Sequence, residues 1–128
     1  MLNRIETMDI QLTEKVCVPC KGGILPLGSE EAAKFASQTP GWTLIDDGIK
    51  IVRDFKFGDF KASMALVQQI GDLAEDEGHH PDIEFGWGYC RVTIFTHKIG
   101  GLHENDFIMA AKINLISLPD SGPEPSSD

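Results

Sequence analysis

Apolar and polar residues alternate along two stretches of the chain, and each stretch contains a turn signal. Around the first signal, Asp46-Asp47-Gly48, apolar residues stand at alternating positions: Trp42, Leu44, Ile49, Ile51, Phe55 and Phe57. Around the second, Gly88, the alternating residues are Ile83, Phe85 and Trp87, and a β-branched run at 91–97 follows. A period of two with glycine-containing turns is typical of antiparallel pairs, so the pattern predicts two β-hairpins.

Three other stretches have the spacing of amphipathic helices. The first begins at Ser29, whose hydroxyl can cap a helix, and ends at Thr39-Pro40-Gly41. The second follows Asp59 as its N-cap and ends at Gly78 as a left-handed residue. Its apolar positions are Phe60, Met64, Val67, Ile70, Leu73 and Ala74. The third runs from about 103 to 117.

The order helix, hairpin, helix, hairpin, helix predicts an α+β domain over residues 29–118. We expect a four-stranded, largely antiparallel sheet made of the two hairpins, with three helices packed on one face. The other face is expected to be polar or covered by a second subunit, because Val52, Ile94 and Phe95 put apolar side chains on either side of a strand. Residues 1–28 are interpreted as an irregular arm and residues 119–128 as a disordered tail.

Composition and charge exclude several classes of protein. The 128 residues include 11 Lys and Arg against 20 Asp and Glu, a net charge of -9 that disfavours nucleic acids and anionic membranes. No apolar run approaches the length of a membrane span or a signal peptide. The three cysteines form no disulfide framework, so we expect a soluble cytoplasmic protein in a reducing compartment.

The histidines are the leading candidates for chemistry, because all four lie between residues 79 and 103. His79, His80 and His97 fall where elements end, and Glu75-Asp76-Glu77 lies at the negative end of the helix dipole, where carboxylates are unfavourable. One interpretation is a solvated acidic turn with the histidines capping the helix. The other is a set of imidazoles held beside carboxylates as acid and base groups at neutral pH. These residues alone leave both open.

Metal binding and thiol chemistry are two further possibilities. His79, His80 and His97 with a carboxylate form an acceptable ligand set on paper, but adjacent histidines rarely both bind one ion. Cys17-Val-Pro-Cys20 has no matching second pair, since Cys90 stands alone in a strand, and two ordinary thiols are the simpler interpretation. Asp106, at the third position of the last helix, is favourable there for structural reasons alone. We therefore expect no metal site.

Seven residues at fixed spacing carry a family resemblance: Glu75-x-x-x-His79-His80-Pro81, then Trp87, His97 and Asp106. This pattern resembles the signature of the pterin-4a-carbinolamine dehydratases. The resemblance extends over about 29–117, and the Cys-Val-Pro-Cys arm is similar to that of many bacterial members. Two departures stand out, since many members have Asp where this chain has Gly78, and Ser or Thr where it has His103.

The resemblance implies a hydro-lyase that dehydrates 4a-hydroxytetrahydropterins to quinonoid dihydropterins, without metal or organic cofactor, in tetrahydropterin recycling. It also implies a homodimer or homotetramer. Carried over residue by residue, the active-site histidines are His79, His80 and His97. The residues at or beside the pterin pocket are Glu75, Thr96 and Asp106, with Trp87 at the motif's aromatic position.

The reaction needs a proton delivered to the leaving hydroxyl and another removed from a ring nitrogen, which two imidazoles of opposite protonation state can do. A third could bind the substrate or serve the other stereoisomer, and which histidine does which stays open. The family also suggests two alternatives: a binding or regulatory module, such as a dimerisation cofactor for a transcription factor, and a pterin protein of molybdopterin-related metabolism.

Overall fold

The computed structural model describes residues 12–17 and 25–116, so Cys20 and the tail at 119–128 lie outside the described residues. Its elements are α1 (Ser29–Ala36), β1 (Thr43–Ile45), β2 (Lys50–Lys56), α2 (Phe60–Glu77), β3 (Asp82–Gly86), β4 (Tyr89–Ile94) and α3 (Glu104–Asn114), with 3-10 turns at Leu12–Glu14 and His97–Ile99. The predicted α+β class is confirmed. None of the helices in these two ranges is both long enough and apolar enough to cross a bilayer.

The four strands form one antiparallel sheet in the order β1-β2-β4-β3, so both predicted hairpins are confirmed. The first turn is tight because Asp46, Asp47 and Gly48 all adopt positive φ, at 53°, 61° and 82°. Aspartate and glycine tolerate this region better than most residues, which explains why this sequence turns here. Gly88 turns the second hairpin with φ 81°.

The two faces of the sheet differ in polarity. Ile51 lies opposite Ile94, and Phe55 lies opposite Cys90, on the face that the helices cover. Burial of these side chains is the main apolar contribution of the sheet to the core. On the open face Arg91 pairs with Asp54 at 3.2 Å. That face is largely polar, which was one of the two alternatives expected for it.

Helix α2 begins and ends at the predicted residues. The Asp59 side chain accepts a hydrogen bond of 2.8 Å from the Ala62 N–H, and Gly78 ends the helix with φ 66°. The fully buried positions of the helix are Ser63, Leu66, Ile70 and Ala74. Ile70 and Ala74 are thus buried as predicted, and the predicted Val67 and Leu73 pack against the core while partly exposed. Phe60 and Met64 were predicted to face the core but are 45% and 49% exposed. They lie at the start of the helix, where the Phe60 ring packs against Phe85 of the edge strand with centroids 5.7 Å apart.

Several predicted boundaries were wrong by a few residues. The N-cap of α1 is Gly28, and no side chain caps the helix, so Ser29 already lies within it. Strand β4 ends at Ile94 rather than 97, because the chain enters the 3-10 turn at His97. Helix α3 ends at Asn114 rather than 117. Its last side chain accepts a 2.9 Å bond from the Trp42 indole and donates to the Pro40 carbonyl, contacts that sequence periodicity does not report.

Candidate active site

A cavity of about 720 Å³ lies at the end of the sheet where β3 begins and β4 stops. Because β3 and β4 form an antiparallel hairpin, the residues before β3 and those after β4 are brought to the same end. The loop after α2 and the first turn of α3 complete the walls. The lining residues are Cys17, Glu75, Asp76, Glu77, Gly78, His79, His80, Pro81, Asp82, Phe95, Thr96, His97, Lys98 and Asn105.

His79 is held by a buried carboxylate. Its Nε2 lies 2.6 Å from Asp106 Oδ1, and the side chains are 12% and 0% exposed. An ionised carboxylate can only accept hydrogen bonds, so Nε2 carries the proton of this contact and Nδ1 is the ring nitrogen that can exchange one. The pairing fixes both the tautomer and the orientation of the ring, in the way that carboxylates position catalytic imidazoles in general.

Asp106 is itself fixed by two further donors. Its Oδ2 accepts a bond of 2.9 Å from the Thr96 hydroxyl and one of 2.8 Å from the His103 backbone N–H. The second bond is half of a capping box, because the His103 ring accepts from the Asn105 N–H at 3.1 Å. Asp106 therefore fulfils the structural role expected of its helix position and also joins Thr96 and His79 at the cavity.

His80 binds a different carboxylate from its neighbour. Its Nε2 lies 2.7 Å from Glu75 Oε2, and the two side chains are 59% and 79% exposed. Glu75 lies in the last turn of α2, close enough in sequence to reach back over the loop. The two adjacent histidines thus have distinct surroundings, one with a buried carboxylate and one with a solvated carboxylate.

His97 reaches the cavity from the other side of the hairpin. Its ring packs on Phe95 with centroids 4.1 Å apart, and Lys50 lies 4.8 Å above the same phenyl ring. The loop that carries His97 is closed by a bridge between Thr96 and Gly101, whose backbone groups bond at 2.9 Å. Phe95 is thus a platform for the third imidazole, a role that strand alternation alone did not indicate.

Glu77 and Cys17 form a part of the wall that sequence reasoning missed. Burial acts to raise the pKa of Glu77, but hydrogen bonds from the Cys17 N–H and the Lys112 ammonium outweigh it and lower the pKa. Burial, reinforced by the charge of Glu77, raises the pKa of the Cys17 thiol to about 12. Cys17 is therefore a neutral thiol in the physiological range.

Of the predicted site residues, the cavity or its supporting shell holds all but one: His79, His80, His97, Glu75, Thr96 and Asp106. Trp87 does not lie with them. It is 64% exposed in the turn at the opposite end of the β3–β4 hairpin. The five extended residues of β3 separate that turn from the cavity end of the sheet by about 17 Å. Within residues 12–17 and 25–116, no group of three or more His, Cys, Asp and Glu side chains is arranged to hold a metal ion.

A family model and similar proteins from other organisms all indicate one family for this chain. A family model described as pterin 4 alpha carbinolamine dehydratase matches residues 25–116. A protein of Aromatoleum aromaticum, provisionally named pterin-4-alpha-carbinolamine dehydratase, is 56% identical over 105 residues, covering 82% of this chain and 94% of its own. One of the same provisional name from Methylococcus capsulatus is 55% identical over 103 residues, covering 80% and 90%.

Solved structures show the same architecture. A crystal structure titled transcriptional coactivator/pterin dehydratase, from Brucella melitensis, superposes with a TM-score of 0.66 at 32% identity, covering 70% of this chain and 95% of its own. A pterin dehydratase-like protein identified as a RuBisCO assembly factor in the alpha-carboxysome gives a TM-score of 0.50 at 24% identity, covering 58% and 86%. The second likeness is one of fold alone.

Proposed function

This chain belongs to the pterin 4 alpha carbinolamine dehydratase family, and from that premise we propose that it dehydrates 4a-hydroxytetrahydropterins to quinonoid dihydropterins. The observation that carries the proposal is the convergence of three imidazoles on one cavity, two of them paired with separate carboxylates. The cavity volume is within the range of small-molecule sites, and a bicyclic pterin is a ligand of suitable size.

The different carboxylate partners of the histidines support different roles for them in the reaction. Loss of water from the carbinolamine breaks the C–O bond at C4a while one proton reaches the leaving oxygen and another leaves a ring nitrogen. His79, oriented by Asp106, can exchange a proton at Nδ1, and His80, oriented by Glu75, can do so in the same way. We assign these two as the acid and base pair and His97, packed on Phe95, as the residue that binds the pterin ring.

Asp106 is a positioning residue in this mechanism. It has no exposed surface, so it does not touch a substrate in the cavity, and its contribution is to hold the His79 ring. Thr96 and the His103 N–H in turn hold Asp106. The reaction is an elimination of water that acid and base groups can promote without a change of oxidation state, so the proposal needs no metal and no organic cofactor.

The direct test is stopped-flow measurement of 4a-hydroxytetrahydropterin dehydration with purified protein. We expect acceleration above the buffer reaction that survives dialysis against a chelator. No acceleration would overturn the proposal, and loss of activity that zinc restores would instead make the histidines metal ligands. Faster tetrahydropterin turnover by an aromatic amino acid hydroxylase, in an assay that also contains a reductase and its electron donor to return the quinonoid dihydropterin to the tetrahydro form, would support the recycling role.

A second candidate function is a binding module, favoured by large exposed apolar side chains on and beside the edge strand. They are Phe60, Met64, Phe85, Trp87 and Tyr89, all at least 37% exposed. Isolated exposed apolar residues are ordinary, but the Phe60 and Phe85 rings contact each other with centroids 5.7 Å apart, and such a pair indicates a surface that contacts a partner. We propose that in this protein the partner is another copy of the chain, giving a homodimer or homotetramer, because β3 is an unpaired edge of the sheet. The competing outcome is that this surface binds a different protein and that the chain does not turn over a pterin.

A further inference from the structure

Residues 12–17, far from the rest of the site in sequence, lie along α3, and Cys17 at their end forms part of the cavity wall. Leu12 is 5% exposed and belongs to the core, and Lys15 pairs with Glu104 at the start of α3. At the other end, the Cys17 N–H donates a 2.9 Å bond to Glu77 Oε1, and its thiol donates to the Asn105 carbonyl at 3.6 Å. We refer to residues 12–17 as the wall segment.

Glu77 is the residue that joins the wall segment to the body of the protein. One of its oxygens accepts from Cys17, and the other accepts a 2.6 Å bond from Lys112 of α3. The Glu77 side chain is only 11% exposed, which rules out a solvated acidic turn at this position. Glu77 is also the last residue of α2, where the helix dipole disfavours a carboxylate. A buried carboxylate at this unfavourable place indicates a specific role.

We propose that the wall segment closes the pterin pocket and that Glu77 is the positioning residue that holds it against a bound pterin. This inference rests on the proposed function for its ligand. The wall presents to the cavity a neutral thiol, which is weakly polar and polarisable and suits packing against the flat face or edge of a heterocyclic ring. It supplies no acid or base, so its effect falls on substrate binding and not on the chemical step.

The first experiment separates binding from chemistry by steady-state kinetics of Glu77→Gln. Gln keeps the size of the side chain but loses the charge that pairs with Lys112. One of its two terminal atoms is an amide nitrogen, which cannot accept a hydrogen bond. We expect KM to rise about tenfold with kcat within twofold of the wild type. Asp54→Asn is the matched control, because it breaks the ion pair with Arg91 on the open face of the sheet and should change neither constant.

A second measurement follows the wall segment without relying on turnover. Alkylation by N-ethylmaleimide is read at each cysteine by peptide mass spectrometry, with the fully buried Cys90 as internal reference. Oxidised biopterin should slow alkylation of Cys17 in the wild type several-fold. In Glu77→Gln, Cys17 should react faster than in the wild type while Cys90 stays unchanged.

These experiments distinguish failure of the wall inference from failure of the proposed function. Absence of turnover in the wild type rejects the dehydratase proposal, whereas the wall inference then depends on whether biopterin protects Cys17. Unchanged KM together with unchanged Cys17 reactivity in Glu77→Gln overturns the wall inference while leaving the dehydratase intact. If Glu77→Gln does not fold, Cys17→Leu, which adds bulk to the wall and keeps the Glu77 bond to the backbone, must raise KM or the inference is rejected.

Discussion

His79 and Asp106 are separated by 27 residues, yet His79 Nε2 and Asp106 Oδ1 lie 2.6 Å apart and join the loop after α2 to the first turn of α3. The carboxylate also accepts from Thr96 and from the backbone of residue 103, so it is held from three directions. A side chain fixed in this way cannot turn without breaking bonds that have no solvent replacement. The orientation of the imidazole is therefore built into the fold before substrate arrives.

We predict that Asp106→Asn lowers kcat roughly 10²-fold. The amide keeps the volume of the carboxylate but can present only one acceptor atom, so it cannot serve His79 and its other two donors together. Stopped-flow kinetics gives kcat, and thermal unfolding shows whether the variant is folded. Thr96→Val, which removes one donor and leaves the carboxylate, should have a smaller effect; an Asp106→Asn enzyme as fast as the wild type would contradict the positioning role.

His80→Ala should cut kcat by roughly 10²-fold, whereas His97→Ala, which removes the residue assigned to binding the pterin ring, should mainly raise KM. Both variants should leave stability nearly unchanged, because both side chains are exposed. His79→Ala should behave differently. It leaves the buried carboxylate of Asp106 short of one partner, and we expect a loss of about 1 to 3 kcal/mol in unfolding free energy as well. Chemical denaturation measures the stability difference. Double replacements within the trio should cost less than the product of the singles, since the residues act as one unit.

His103 provides the control for these variants. Its ring caps the Asn105 N–H, whereas its link to Asp106 is made by the backbone. His103→Ala should therefore cost about 1 kcal/mol of stability and change turnover little, and His103→Ser should restore the cap. If His103→Ala were as damaging to turnover as His79→Ala, the acid and base assignment would fail.

Alkaline pH should destabilise the fold through the half-buried thiol of Cys17 and the buried thiol of Cys90. Burial, aided by Glu77, raises the pKa of Cys17 to about 12, and burial, aided by Asp54, raises that of Cys90 to about 11. A pKa raised in the folded state means that the stabilisation is complete below the unfolded value near 9 and is lost as pH rises through the folded value. Unfolding free energy, measured by urea between pH 8 and 11, should fall with a shallower slope in Cys90→Ala than in the wild type. Parallel curves would contradict the assignment.

Light scattering tests the proposed self-association. We expect a mass of two or four chains for the wild type at micromolar concentration. Phe85→Lys, which puts a charge on the edge strand beside Phe60, should shift the distribution toward the 14.0 kDa chain. A wild-type mass near 14.0 kDa at every dilution would instead favour a surface reserved for another protein.

Local signals predicted most of the fold. The Asp46-Asp47-Gly48 turn, the Asp59 cap and the Gly78 stop each depend on neighbouring residues only, and all three are confirmed. The errors arose where tertiary contacts decide. Met64 follows helical spacing as well as Leu66 does, but only the stripe facing the sheet is buried. The end of α3 depends on bonds from Asn114 to Trp42 and Pro40, which lie more than seventy residues away.

The candidate site divides in the same way. A motif at fixed spacing identified the three histidines together with Glu75 and Asp106. The structure places the histidines and Glu75 in the cavity lining and Asp106 in contact with His79 behind it. The motif also included Trp87, which lies at the far end of the hairpin, because spacing along a strand does not tell which end faces the site. Cys17 gave no such signal, since its place in the wall depends on Glu77, sixty residues further on.

The strand order has a consequence for the time course of folding. Each hairpin pairs residues that are near in sequence, whereas the central β2–β4 contact joins Ile51 to Ile94, more than forty residues apart. Closing that long loop costs more chain entropy than closing either hairpin, so we expect it to follow them. His79 and Asp106 meet only when α3 docks onto the assembled sheet. During refolding, the circular dichroism signal of the β-sheet should therefore return before the dehydratase activity. Chains sampled early in refolding should bind no pterin.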